Sequence, residues 1–172
     1  MQAEGEVVRL PEGGNTATRD FRSFFDDEHR RLFKTLYFVT GDAQEAADLM
    51  QESFLKIWER WDRVDRMDDP VAYLFRIALN GNRMQLRAAR RHAGKRIPLG
   101  LARDEFEDVE LREDVRQLLA ALTPRQRAAL LLLDLYGYGS EEAGAILGVR
   151  PSTVRALASQ GRAALRTAGR PA

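Results

Sequence analysis

Apolar residues recur at three- and four-residue steps through most of the chain, a period that predicts helices almost throughout. Phe21, Phe25, His29, Leu32, Phe33 and Leu36 form the first such stripe, which Gly41-Asp42 then breaks. From 44 to about 61, Met50, Phe54, Ile57, Trp58 and Trp61 share one side, while Asp48, Glu52, Lys56 and Glu59 share another. A second amphipathic helix follows. Asp69-Pro70 reads as an N-cap with proline at the first helical position, opening a third helix through Val71, Leu74, Ile77 and Ala78 toward Ala89. Three helices of this size can enclose one small core. Further on, Val115, Leu118, Leu119 and Leu122 keep helical spacing, and Thr123-Pro124-Arg125-Gln126 is a capping box with proline at N1. The helix it opens runs from 124 to about 136, where Gly137 and Gly139 break it. A short helix over 140–147 stops at Gly148, and a last one runs from 151 to about 167. No segment alternates as a strand would, and no internal repeat is visible, so the expected fold is all-α.

The intervals between these patterns divide the chain. Residues 1–19 carry Pro11, Gly13, Gly14 and Asn15 without periodicity and read as a flexible tail. After Gly94, Pro98 and Gly100 comes an acid-rich stretch (Asp104, Glu105, Glu107, Asp108, Glu110, Glu113, Asp114). We read 93–111 as an acidic linker between a helical unit at 20–92 and a second at 112–168. Charged residues make up 31% of the 172 positions but nearly cancel at a net charge of +1, so any attraction to a polyanion must come from their placement. The chain has no cysteine and only two histidines, His29 and His92, which leaves no disulfide framework and no thiolate or histidine-rich metal site. The longest apolar run, Ala128 to Leu133, is far short of the ~20 residues of a membrane span. With no cationic leader before an apolar segment, the expectation is a cytoplasmic protein without membrane insertion.

Two helices carry the chemistry. Between Gly139 and Arg166, a short helix with the small residues Ala143 and Gly144, a turn at Gly148-Val149-Arg150 and a following helix read as a helix-turn-helix. At ~100° per residue, Val154, Leu157, Ala158, Gly161, Ala164 and Leu165 crowd one side of its second helix. Ser152, Arg155, Ser159, Arg162 and Arg166 share the other, a basic and hydrogen-bonding face suited to phosphates and base edges. A solvated face on an ordinary helical hairpin would show the same pattern. In the third helix Arg76, Asn80, Arg83, Arg87 and Arg90 form one stripe, opposite Leu74, Ile77, Ala78, Gly81, Met84 and Ala88. Such a stripe either neutralises phosphates, with Asn80 within it suited to a base edge, or is a solvated arginine face. Trp58, Trp61, Tyr73 and Phe75 flank the turn at 63–69, where they serve either as core or as a stacking platform for an extruded base. No phosphate loop, metal-ligand cluster or activated nucleophile appears, so we expect no catalytic residue, no cofactor and no enzyme activity. His29 fits packing better than chemistry.

At these residues the sequence resembles the extracytoplasmic-function sigma factors of bacterial RNA polymerase. Gly41-Asp42 through Ala46-Ala47-Asp48-Leu49-Met50-Gln51-Glu52-Ser53-Phe54-Leu55-Lys56-Ile57-Trp58 is similar to that family's polymerase-binding block. Asp69-Pro70, Tyr73-Leu74, Ile77-Ala78 and Asn80 are similar to its -10 element helix. Leu122-Thr123-Pro124-Arg125-Gln126-Arg127, Gly137-Tyr138, Glu141-Glu142, Leu147-Gly148-Val149 and Thr153-Val154 are similar to its -35 reader. The resemblance spans about 20–167 in the family's order. It implies that Asp48, Gln51, Glu52 and Lys56 dock on the polymerase β′ clamp, with the β flap as a further contact. It also implies that Arg76, Asn80, Arg83, Arg87 and Arg90 meet the -10 element of promoter DNA, and that Ser152, Thr153, Arg155, Ser159, Arg162 and Arg166 meet the -35 element. The linker would thread toward the active-site cleft, and an anti-sigma factor would be a partner. The chain departs from the pattern at Tyr73, Met84 and Arg150, and at Ala156, Ala158 and Gly161 in the last helix, where Gly161 costs helix stability. The alternatives are a stand-alone helix-turn-helix regulator and an adaptor that mimics a sigma domain.

Overall fold

The computed structural model describes residues 20–88 and 113–169, and every regular element among them is helical. Helix α1 (Phe21–Thr40) ends where Gly41 adopts φ 76°, a left-handed cap that glycine enters without a Cβ clash, and its N–H donates to the Tyr37 carbonyl. Asp42 then caps α2 (Ala43–Trp58) by accepting the Glu45 N–H at 2.7 Å. The chain turns at Glu59 and Arg60, so α2 stops three residues before the expected Trp61, which instead starts a single-turn helix α3 (Trp61–Val64). Packing explains the break. The Trp61 ring lies 5.4 Å from Phe21 and 5.2 Å from Phe24, and Val64 is fully buried. Asp69 caps α4 (Pro70–Ala88) through the Ala72 N–H at 2.8 Å, as the Asp-Pro pair predicts.

The stripe on α1 differs from the expected one. Phe24, Glu28 and Thr35 are buried, while Phe25 and His29 stack on each other at its half-buried edge, with ring centroids 4.9 Å apart. His29 is thus a packing residue, at the margin of the core. The cause is that α1 covers α2 on one side and the second helical unit on another, so its buried surface is wider than one stripe. The same holds for α4, where Phe75 and Leu79 are buried in addition to Leu74 and Ala78 because α4 lies between α2 and α7.

The second unit comprises α5 (Glu113–Ala120), α6 (Pro124–Leu130), α7 (Ser140–Leu147) and α8 (Pro151–Ala168). The capping box forms as expected: Thr123 Oγ1 accepts from the Gln126 N–H, and Gln126 Oε1 accepts from the Thr123 N–H at 2.9 Å. Beyond Leu130 the helix widens into one π turn, Leu131–Leu135, in which the Tyr136 N–H reaches back five residues to the Leu131 carbonyl. Leu132 stays buried and Leu135 is left 63% exposed.

The two units share one hydrophobic core. Arg127 joins three helix ends, its Nε donating to the Leu119 carbonyl at 2.9 Å and its Nη1 to the Val39 carbonyl at 3.1 Å. The Tyr136 hydroxyl bonds Thr35 Oγ1, and the Arg31 guanidinium lies 4.3 Å from the Tyr136 ring centroid and 5.3 Å from that of Phe75. No helix among the described residues is long and apolar enough to cross a membrane. The expected tail (1–19) and linker (93–111) lie outside the described residues.

Candidate nucleic-acid and polymerase interface

Helix α7, a tight turn and α8 form the helix-turn-helix. Gly148 takes φ 64° to end α7, and the Val149 N–H donates to the Gly144 carbonyl at 3.0 Å. A Cβ on Gly144 would stand 2.8 Å from the Val149 carbonyl oxygen, so the turn closes only over a glycine. Arg150 offers no side-chain cap, and Pro151 at N1 needs no N–H partner there. Gly161, costly for helix propensity, has a packing role: its Cβ would lie 2.9 Å from Leu130 Cδ1, so the glycine lets α8 approach α6 closely.

Val154, Ala158 and Gly161 are buried, whereas Ser152, Arg155, Ser159, Arg162 and Arg166 are exposed and Thr153 is half-buried. The predicted duplex-facing set is therefore together on the outer side of α8. Two of its arginines are held from below. Arg155 Nη1 donates to Ser140 Oγ at 2.9 Å, and Arg162 donates through Nε and Nη2 to both oxygens of Asp134. The hydrogen bond from Arg162 holds the Asp134 carboxyl below the usual carboxylate range. Neither Ser140 nor Asp134 stands out in the sequence, because both contacts span loops.

On α2, Asp48 and Lys56 are exposed and Gln51 and Glu52 half-buried. Gln44 Nε2 donates to Asp48 Oδ1 at 3.0 Å and Lys56 Nζ to Glu52 Oε1 at 2.6 Å. Leu55 adds an apolar element, 41% exposed, next to Lys56. Nearby, burial and then the carboxylates of Asp42 and Asp48 push the Glu45 pKa up.

The α4 stripe is less uniform than its spacing suggests. Arg76 is exposed, but Asn80 is half-buried, and its Nδ2 donates to the Arg76 carbonyl at 2.8 Å and to the Ile146 carbonyl at 3.1 Å. The latter is one of the carbonyls that the end of α7 leaves without an intrahelical partner. The side chains of Arg83 and Arg87, and all of Arg90, lie outside the described residues. Among the aromatics, Phe75 is fully buried against Tyr136 and belongs to the core, while Trp58 and Trp61 are half-buried at its edge, packed on Phe21. Tyr73 remains half-buried. No cluster of three or more potential metal ligands occurs among the described residues.

Sequence reasoning missed Arg31, Thr35, Arg127 and Tyr136, the residues that tie the units together. Their partners lie far away in the chain, beyond the reach of a helical period. Burial draws the Arg127 pKa down, the mark of a cation spent inside an interface.

Residues 24–92 match the Sigma-70 region 2 family and residues 112–165 the Sigma-70, region 4 family. The chain is 29% identical to the ECF RNA polymerase sigma factor SigG of Mycobacterium tuberculosis, over 86% of this chain and 48% of that one. The structure of the M. tuberculosis extracytoplasmic function sigma factor SigJ is 31% identical, with a TM-score of 0.59 over 84% of this chain and 53% of that one. The sigma factor RpoE of Bartonella quintana, solved with the anti-sigma factor NepR, superposes with a TM-score of 0.67 at 22% identity, over 86% of this chain and 95% of that one. The chain thus spans about half the length of SigG and SigJ. With both regions present in this order, the chain belongs to the sigma-70 family, in its extracytoplasmic-function group.

Proposed function

We propose that the chain binds core RNA polymerase and directs promoter-specific initiation, with no chemistry of its own. Residues 20–92 serve as the unit that docks on the β′ clamp through Asp48, Gln51, Glu52 and Lys56 and reads the -10 element through the α4 stripe. Residues 112–168 read the -35 element through α8 and meet the β flap, and 93–111 threads between them. The reading rests above all on the outward set of Arg155, Ser159, Arg162 and Arg166 on α8, a cationic, hydrogen-bonding surface on a helix-turn-helix. It is supported by the contrasting state of Asn80, whose amide is spent on Ile146. The free chain can thus offer α8 to duplex DNA while withholding Asn80 from a melted strand. Core polymerase would separate the units, and tethering would then supply cooperativity. A free-standing helix-turn-helix regulator is not favoured, because the family match includes region 2 as well as region 4. RpoE has an anti-sigma partner, and we assign one of that kind here, in the cytoplasm where polymerase works.

Transcription with core polymerase on the chain's cognate promoter tests this reading. Specific transcripts should appear only when the chain is added, and Arg83→Glu with Arg87→Glu should abolish promoter opening. An absence of promoter-specific initiation by the wild-type chain would refute the assignment. Retained opening by the double variant would remove α4 from the mechanism.

A further inference from the structure

The proposed duplex-facing side of α8 carries fewer available cations than its sequence suggests. Arg162 donates from Nε to Asp134 Oδ2 at 2.9 Å and from Nη2 to Oδ1, and the two side chains are equally exposed, at 46% each. This two-point fork is the geometry an arginine uses on a phosphate. Arg155 differs, since its partner Ser140 is a neutral hydroxyl that leaves its charge intact. The fold builds the Arg162 pair. Close approach of α8 to α6 at Gly161 and Leu130 sets the distance between the backbones, and the π turn that follows supplies Asp134 beside the next residue of α8. Arg155 and Arg166 are the other arginines exposed on that side, so pairing Arg162 removes one cation of three.

We propose that Asp134 acts as an internal phosphate: by filling the fork of Arg162 it removes one cation from the duplex-facing surface and sets the chain's sequence-independent grip on DNA low. Asp134 is therefore a positioning residue, and its consequence is dependence on polymerase for promoter occupancy. This inference rests on the reading that α8 faces duplex DNA.

The test is binding of the full chain to a labelled short duplex of scrambled sequence, followed by fluorescence anisotropy across a range of KCl concentrations. Asp134→Asn frees Arg162 to neutralise one phosphate. It should bind more tightly than wild type at low salt and steepen the slope of log K against log salt by ~0.9, an extra loss of roughly threefold per fourfold rise in salt. Arg162→Ala should weaken binding, and the double variant should return to the wild-type curve. Glu141→Gln changes the charge of another exposed side chain of the same unit without freeing an arginine, and it should leave the slope unchanged. Weaker or unaltered binding by Asp134→Asn would overturn the proposal, as would an equal effect of Glu141→Gln. Arg155→Ala separates the two levels of failure. If it weakens binding while Asp134→Asn has no effect, only the role of Asp134 fails; if neither matters, the assignment of α8 to the duplex fails with it.

Discussion

Glycines at two positions show how one residue type serves opposite ends. At Gly144 an added Cβ would meet backbone, the Val149 oxygen at 2.8 Å and the Pro151 nitrogen at 3.3 Å. Backbone in a tight turn cannot give way, so Gly144→Ala should cost about 1–3 kcal/mol in urea denaturation and should weaken duplex binding by misplacing α8. At Gly161 the nearest atom is the end of the Leu130 side chain. There a rotamer change relieves the contact, and alanine recovers roughly 1 kcal/mol of helix propensity, so Gly161→Ala should lie much nearer to wild type. Equal losses at the two sites would contradict this distinction. Both positions read as helix-breaking or merely small in the sequence; what distinguishes them is the identity of the atom opposite.

Helix ends carry much of the local logic, and most were legible in advance. Asp69 and Thr123 each cap a helix as their positions predict, and Asp42, read in the sequence only as part of a break, caps α2 in the same way, because a capping side chain and its N–H lie within three residues of each other. Thr123→Ala should lower stability by about 1 kcal/mol, measured by thermal or urea unfolding, with no direct effect on the α8 surface. The elements the sequence placed less well are those bent by packing. The apolar run around Leu131 to Leu135 has no breaker before Gly137, yet it widens into a π turn, which leaves Leu135 exposed and puts Asp134 within reach of Arg162. The end of α2 moved for a similar reason, since Trp61 contributes more by packing on Phe21 and Phe24 than by extending the helix.

At the level of the whole molecule, the bridge between units combines satisfied and unsatisfied groups. Arg127, Tyr136, Thr35 and Asn80 find partners across it. Glu28 Oε2, however, is buried without a hydrogen bond among the described residues and is held only by a long ion pair to Arg31 Nη1 at 3.8 Å. A buried carboxylate oxygen without a hydrogen bond offsets up to about 1–3 kcal/mol of packing, less what the Arg31 ion pair returns, which makes the closed arrangement easier to open than its apolar contacts imply. Opening can be followed directly, because the sequence contains no cysteine. Dyes on Arg22→Cys and Ala163→Cys, both exposed positions, should show efficient energy transfer in the free chain and a marked drop once core polymerase is added. Transfer that persists at saturating polymerase would count against separation of the two units.

The order of the longer helices, the caps at Asp69 and Thr123 and the composition of the α8 face follow from the amino-acid sequence by itself. Each depends on residues within a few positions of one another and on the 3.6-residue period. Tertiary structure alone decided that Glu28 and Thr35 are buried, that Arg127 clasps the end of α1, that Asn80 is occupied and that Arg162 is paired with Asp134. These depend on residues brought together from distant parts of the chain. A helical period fixes which side of a helix a residue occupies, but not what is packed against that side.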